Sequence, residues 1–393
     1  MEKSDQSFYH RYIYQFISII YNLGSLKFAF LCFIILHFSI GAIVPPLVTS
    51  DYERNLFYGR AFWEHGFSVY DKTPLEIDPN YNIGDPTSDL LSYPNTTYDY
   101  PTLQLLFWAS LAPIPFSSII AKWVLSSFDI INFFLLYFLL GLHQPINNKE
   151  KRNRLPEILF ALSYLLFSIP FSAIEGQSTA LTVFFLLLPL SLHSYNRTWS
   201  YFSIGLGFHW KYVSVLILPY LLFKDREELK LIVFGFLTVV LTIAFLSFPL
   251  LFSNFILNYF GFFGNLGEYS GQRPSNPLLL FHPSISSLLS TGVLVLALLY
   301  WFGASLSDET ITERIRGIPH RSYWLPFILL LGFLKIYATA FPWYWMWFYA
   351  CLSILPQKER RLFIVLLGIT FAIGLIDFVV MTVGLETFIN YFF

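Results

Sequence analysis

The sequence WSYFSIGLGFHWKYVSVLILPYLLF, residues 199–223, decides how the whole chain is arranged. Its length would allow one membrane crossing, because a hydrocarbon core of about 30 Å takes roughly 20 apolar residues of helix. However, His209 and Lys211 lie near its centre, and ionisable side chains inside a membrane are costly unless they have a function. The rest of the sequence must therefore decide whether this stretch crosses the bilayer or returns to the side from which it entered.

The composition is typical of a protein that lies in lipid. Of the 393 residues, 55% are apolar, 20% are aromatic and only 12% are charged. The formal net charge of −1 gives no indication of a nucleic-acid partner. Cys32 and Cys351 both lie in apolar runs, so we expect packing residues and no disulfide framework. The N-terminal residues have no signal-peptide cleavage pattern, so we expect the first apolar span to be retained.

Apolar runs of spanning length recur along the chain and predict one all-α polytopic membrane domain over residues 1–393, with about 9–10 transmembrane helices. The predicted spans are residues 28–48, 120–142, 157–173, 178–194, 231–252, 282–303, 322–341, 343–356 and 362–383.

Short loops rich in Lys and Arg indicate the orientation, because such loops face the cytoplasm. The basic loops are residues 147–154, 223–230, 313–321 and 357–361. All of them reach the cytoplasm only if residues 199–223 enter and leave on one face. We therefore predict a re-entrant hairpin of two half-helices with its tip at residues 208–211. Irregular backbone at that depth is tolerated only where it is buried in protein or lines a wet cavity, so the tip is a candidate site.

This topology leaves residues 49–119 and 253–281 as two long external loops. The first loop opens with DYERNLFYGRAFWEHG, whose apolar positions fall near helical spacing and predict an interfacial amphipathic helix. Later in the same loop, TYDYP at residues 97–101 precedes a second apolar stretch. That stretch predicts a short helix with Pro101 in its first turn.

Three cationic candidates lie within the predicted spans: His209, Lys211 and Lys335. A cationic cavity suits an anionic headgroup, in which lysine acts as a point charge and histidine as a switchable donor. The alternative for Lys335 is snorkelling, because it lies a few residues from the outer end of its predicted helix. The half-helices keep His209 and Lys211 from reaching the cytoplasm in that way.

Acidic candidates lie in the first external loop. Asp51 directly follows the first span, where partial desolvation can bring the pKa of a carboxyl group toward the working range of a general base. Its alternative role is to cap the helix that follows. Glu53 would lie on a different side of that helix. Asp99 is either a substrate-binding group or a turn residue before Pro101.

Further candidates lie at other predicted external positions. Gln177 either hydrogen-bonds sugar hydroxyls or caps the next helix, and Arg273 either contacts an anionic group or is a solvated loop arginine. Aromatic rings at an interface normally form a belt, but sugars also stack on such rings. The aromatic candidates are Tyr98, Tyr100, Trp343, Tyr344 and Trp345.

The sequence has no Gly-rich phosphate loop, HExxH, GxSxG or Cys/His metal spacing, so neither a metal nor another cofactor is expected. An enzyme of this kind, lacking a nucleotide-binding domain, must draw its activated group from the membrane.

Several stretches together resemble the C superfamily of membrane glycosyltransferases (GT-C). The likeness is greatest to the polyprenyl-phosphate-mannose-dependent α-mannosyltransferases, including the first mannosyltransferase of GPI-anchor synthesis. The stretches are the acidic residue after the first span, the Gly66 to Tyr70 spacing, Tyr98-x-Tyr100-Pro101, EGQSTAL, GLGFHWKYVSVLILPYLLF and KIYATAFPWYW. The sequence departs from the pattern in having Asp51-x-Glu53 where the GPI enzymes carry Asp-x-Asp. It also departs in the late position of Pro219 and in Thr102 after Pro101.

The resemblance implies transfer of a hexose, mannose by likeness, from a polyprenyl-phosphate donor to a lipid-linked or glycan acceptor on the external or lumenal side. The anomeric centre would be inverted, with Asp51 as general base and with His209, Lys211 and Lys335 binding the donor phosphate. The residues expected to contact substrate are Glu53, Tyr98, Asp99, Tyr100, Gln177, Arg273 and Tyr344. The expected location is the plasma membrane in a prokaryote and the endoplasmic reticulum in a eukaryote. The alternative is a transporter or flippase of a lipid-linked sugar, because transporters also use broken helices at mid-depth.

Overall fold

The structure, a computed structural model, describes residues 26–45, 51–81, 97–142, 154–253, 323–336, 342–355 and 360. Within these ranges all regular secondary structure is helical, which confirms the all-α prediction. The α-helices are α1 (Lys27–Ile43), α2 (Asp51–His65), α3 (Pro74–Ile77), α4 (Thr102–Leu111), α5 (Ser117–Leu139), α6 (Leu155–Ser168), α7 (Thr179–Leu192), α8 (Arg197–Lys211), α9 (Leu218–Lys224), α10 (Leu229–Ser247), α11 (Leu325–Ile336) and α12 (Phe348–Ser353). Helical turns of other types cover Gly66–Asp71, Ile169–Ile174, Val213–Ile217, Phe248–Phe252 and Pro342–Trp347.

Three helical runs in the described part of the chain are long and apolar enough to cross a membrane: Ser117–Leu139, Leu155–Ile174 and Leu229–Leu251. At 1.5 Å per residue, the 23 residues of the first run extend about 35 Å, which exceeds a typical hydrocarbon core. The predicted spans 282–303 and 362–383 lie outside the described residues, as does nearly all of the loop 253–281. The predicted span 343–356 is observed as a 3₁₀ turn followed by the short helix α12.

Helix α10 presents an apolar surface that a membrane would explain. Only Gly235, Val239 and Thr242 are buried along its length. Its exposed large apolar side chains are Leu229, Val233, Phe234, Phe236, Leu237, Val240, Leu241 and Phe245. In water, such a surface would oppose folding by leaving apolar area hydrated, whereas lipid solvates it at no such cost.

The bundle encloses a polar network that joins α1, α5 and α6. The Tyr164 hydroxyl donates to Asp129 Oδ1 at 2.6 Å and accepts from Asn132 Nδ2 at 2.8 Å. His37 Nε2 bonds the Ser168 hydroxyl at 2.9 Å. All five residues are almost completely buried. His37 and Asp129 were not predicted from the sequence, although each is an ionisable residue inside an apolar run, as His209 and Lys211 are.

The stretch 199–223 is a broken segment that folds back on itself. Helix α8 ends at Lys211, and Tyr212 then takes a left-handed conformation with φ of 38°. The return begins with a 3₁₀ turn and continues as α9, with Pro219 in its first turn, where proline fits a helix. Gly207 makes the return possible, because a Cβ there would lie 2.7 Å from the Cβ of Ser214.

The two ends of this segment are held together at the buried carboxylate of Asp225. That carboxylate accepts from the Tyr201 hydroxyl at 2.7 Å and lies 3.0 Å from His193 Nε2 and 3.3 Å from Arg197 Nε. The chain therefore leaves the end of the bundle marked by Arg197 and comes back to it. Residues 208–211 form the last turn of α8, and the break comes one residue later than predicted. That the segment re-enters a bilayer stays a prediction.

Candidate functional site

Helix α2 organises the TYDYP stretch through a buried arginine. Arg54 Nη1 donates to Asp99 Oδ1 at 3.1 Å, and Nη2 donates to the Thr97 carbonyl at 2.7 Å. The Tyr98 hydroxyl donates to Asn55 Oδ1 at 3.1 Å. These bonds hold residues 97–100 against α2, immediately before α4 begins. Arg54 was not among the predicted site residues, and its only signal in the sequence is its position in DYER beside the acidic candidates.

The Lys211 ammonium lies among aromatic rings that come from distant parts of the chain. Its Nζ is 5.1 Å from the ring centroid of Tyr344 and 5.6 Å from those of Tyr100 and Trp347. At such distances a ring face attracts a cation, and the attraction is larger when water is excluded. Lys211 is only 9% exposed to solvent. Of these rings, Tyr100 and Tyr344 were predicted from the sequence and Trp347 was not.

Two carboxylates act electrostatically on this ammonium, those of Asp51 and Asp99. Asp99 is already paired with Arg54, so its charge is largely compensated. Asp51, at the start of α2, is therefore near enough to the end of α8 for its charge to act on Lys211. The structure therefore brings together five of the predicted site residues, namely Asp51, Asp99, Tyr100, Lys211 and Tyr344. We call this set the Lys211 cluster.

The turn that carries Gln177 packs beside the Lys211 cluster. Gly176 has φ of 63°, and a Cβ there would overlap the ring of Tyr52, which follows Asp51. On the other side of the turn, the Ser178 carbonyl accepts from Trp210 Nε1 at 3.2 Å, and Trp210 precedes Lys211. The Gln177 side chain is buried. The predicted external turn therefore joins the two elements that supply Asp51 and Lys211.

Not every predicted cation lies in this cluster. His209 Nε2 lies 2.9 Å from the Ile243 carbonyl and 3.3 Å from the Ser247 hydroxyl, so the ring faces α10. Residues two positions apart in an α-helix are rotated by about 200° around the helix axis. His209 therefore points away from Lys211. Lys335 is the next-to-last residue of α11, consistent with a place near a helix end. Arg273 lies outside the described residues.

Glu53 faces a separate cavity of about 510 Å³ on the other side of α2. The cavity is bordered by the end of α1 and the start of α5, and its lining includes Tyr52, Arg60 and Lys122. Lys122 Nζ donates to the Val44 carbonyl at 2.7 Å and lies 5.6 Å from the centre of the Tyr52 ring. Glu53 lines this cavity and Asp51 does not. Lys122 was not predicted from the sequence as a site residue.

Burial raises the pKa of Tyr58, Tyr70 and Tyr98 above the ordinary value for tyrosine. Their hydroxyls therefore remain protonated and act as neutral hydrogen-bonding groups at physiological pH. Formal charge around residues 97–100 comes from Arg54, Asp99 and their neighbours, and the tyrosines supply shape and hydrogen bonds.

No group of three or more His, Cys, Asp or Glu side chains that could hold a metal ion occurs in the part of the chain that the structure describes. Comparison of the whole chain with models of protein families, with curated proteins and with solved structures finds no match. A function for this protein must therefore be argued from its own residues.

Proposed function

We propose that this protein is a multi-pass membrane glycosyltransferase. It would transfer a hexose, mannose by its resemblance, from a polyprenyl-phosphate donor to a lipid-linked or glycan acceptor on the external or lumenal side. The observation that carries the proposal is the electrostatic interaction between Asp51 and Lys211, which lie far apart in sequence and would supply a base and a cation to one cluster. Exposed apolar helices such as α10 support the membrane setting.

Lys211 would stabilise the departing polyprenyl phosphate. When the glycosidic bond breaks, negative charge stays on the phosphate, and a cation already held in place lowers the barrier at no cost of reorganisation. The rings of Tyr100, Tyr344 and Trp347 exclude water from this ammonium, which strengthens its interaction with an anion. His209 and Lys335 remain predicted donor-binding residues, and Arg273 remains a predicted substrate contact.

Asp51 would act as the general base for the acceptor hydroxyl. Attack at the anomeric carbon passes through an oxocarbenium-like state, and a carboxylate takes the proton from the attacking hydroxyl. One direct displacement inverts the anomeric centre. Asp51 is assigned this role by its charge interaction with Lys211 from the start of α2, whereas Asp99 accepts from Arg54 Nη1 and holds residues 97–100 against α2.

The cavity beside Glu53 would receive the acceptor. Its walls combine the carboxylate of Glu53 with the cations Arg60 and Lys122, so a polar sugar or headgroup finds both donors and acceptors. Tyr52 lies between this cavity and the Gln177 turn. Asp51 does not line this cavity, so an acceptor held there would extend past Tyr52 to bring its hydroxyl to Asp51 at the start of α2.

A transporter of a lipid-linked sugar is the second candidate. The observation that favours it is the break at Tyr212, because broken helices also form the substrate sites of secondary transporters.

One experiment separates the two candidates. The protein is purified in lipid and supplied with polyprenyl-phosphate mannose and a mixed lipid acceptor extract, and mass spectrometry detects any hexose addition. Asp51→Asn is compared with Glu64→Gln, which removes an exposed carboxylate from the same helix. A product made by wild type and by Glu64→Gln, but lost in Asp51→Asn, supports the transferase. If the donor is bound but unchanged in wild type, and Lys211→Ala abolishes that binding, the transporter is correct.

A further inference from the structure

A second cavity, of about 420 Å³, lies at the end of the bundle opposite the Lys211 cluster. Helix α8 runs from Arg197 to Lys211, about 22 Å at 1.5 Å per residue, and α9 returns to the starting end at Lys224. The ends of α5, α7, α9 and α12 border the cavity together with Tyr323. It is therefore remote from the proposed chemistry.

The charged groups that line this cavity in the described part of the chain are both cationic, Lys224 and Arg360. Arg360 is almost completely buried, and its Nε and Nη2 donate to the Leu355 carbonyl at 3.2 and 2.6 Å. These bonds fix the guanidinium at the cavity wall. Lys224 is exposed and extends the cationic lining outward.

The nearest carboxylate along the chain does not line this cavity. Asp225 is turned toward Tyr201, His193 and Arg197, which hold the returning segment. No carboxylate is therefore present among the described lining residues to oppose an anion. This separation of charges follows from the way in which the broken segment closes.

The rest of the lining combines hydroxyls with apolar side chains. The hydroxyl-bearing residues are Ser194, Tyr220, Tyr323 and Ser353, and the apolar ones are Leu139, Leu190, Ile354 and Leu355. Hydroxyls and fixed cations are the groups that bind phosphate oxygens. Apolar walls beside them suit the glycerol and first acyl carbons of a lipid.

We propose that this cavity binds a phosphate-bearing anion, and that the headgroup of an anionic phospholipid is its occupant. Basic pockets between helices at the cytoplasmic face of membrane proteins have the matching chemistry. The predicted orientation places this cavity at that face, since it lies beside the loop 223–230 and Arg360 of the loop 357–361. Binding would tie together helix ends that are far apart in the sequence, and it would stabilise the fold independently of sugar transfer.

The experiment measures the thermal unfolding midpoint of the protein in phosphatidylcholine nanodiscs as phosphatidylglycerol is increased. Wild type is expected to show a saturable rise in the midpoint. Lys224→Gln is expected to need about fivefold more phosphatidylglycerol for the same rise, because one cation near a membrane surface contributes about that factor. The control is Lys230→Gln, an exposed lysine at the same end that does not line the cavity.

Three outcomes decide the proposal. A selective effect of Lys224→Gln, reproduced by Arg360→Gln where that variant folds, supports the site. A saturable rise produced by inorganic phosphate in neutral nanodiscs, and weakened by Lys224→Gln, supports the site with free phosphate as its occupant. Equal effects of Lys224→Gln and Lys230→Gln, or the lack of any saturable rise, would overturn it, because the basic residues would then act only as a general surface charge. The unfolding midpoint does not depend on sugar transfer. Failure of the proposed glycosyltransferase function would therefore be seen in the product assay and not in this experiment.

Discussion

Replacing Lys211 with methionine should separate the stability of this protein from its activity. The change keeps a flexible apolar chain among the three rings and removes the charge. The lost cation–ring attractions, each about 0.5–1 kcal/mol at distances of 5.1–5.6 Å, disfavour the variant. The variant no longer has to bury an ammonium, which costs several kcal/mol, and this favours it. We therefore expect the free energy of unfolding to change by less than about 2 kcal/mol.

The expected effect on transfer is much larger. Removing one preorganised group that stabilises developing negative charge typically lowers turnover by about 10²–10³-fold. Sugar transfer from polyprenyl-phosphate mannose and the thermal unfolding midpoint would be measured on the same samples. Lys211→Arg keeps the charge and should retain more activity than Lys211→Met. Lys72→Met, a lysine of the same predicted external loop that lies 3.3 Å from His65 Nδ1, serves as the matched control.

Two results would refute this reasoning. If Lys211→Met unfolds far more easily than wild type and loses activity in proportion, the lysine is a structural residue held by its rings and carboxylates. If transfer falls by less than tenfold, the departing phosphate does not depend on Lys211 and the assignment of the site is wrong.

Three further predictions test the packing. Gly59→Ala should cost about 1–3 kcal/mol of stability, because its Cβ would lie 2.6 Å from the Trp108 carbonyl. The control is Gly41→Ala, which should have little effect on the unfolding midpoint because the nearest atoms to its Cβ are 3.5 Å or more away. Asp129→Ala should cost about 1–3 kcal/mol by leaving a buried tyrosine hydroxyl without its acceptor, and Asn at this position should cost less in the same assay. Asp225→Ala should free the ends of the broken segment and speed limited proteolysis near residues 225–228; an unchanged cleavage rate would show that these contacts do not hold it.

The helices could be predicted because their signals are local. Apolar runs of spanning length predicted α5, α6 and α10, and helical spacing predicted α2 after the first span. His209 and Lys211 near the centre of residues 199–223 indicate from the sequence alone that this run is not a simple membrane span. The exact position of the break at Tyr212 was not predictable, because it depends on the close packing of Ser214, from the returning chain, against Gly207, which has no Cβ.

Composition and ionisable residues in apolar runs were enough to suggest a membrane setting and to select Lys211, and a position directly after the first span selected Asp51. That Arg54 compensates Asp99, that Trp347 completes the rings around Lys211, and that Lys122 and Glu53 share a cavity were decided by the tertiary structure. The physical reason is one of range. Helix formation depends on residues three or four apart, whereas the partner of a buried charge depends on which faces of distant helices meet, and no local pattern encodes that meeting.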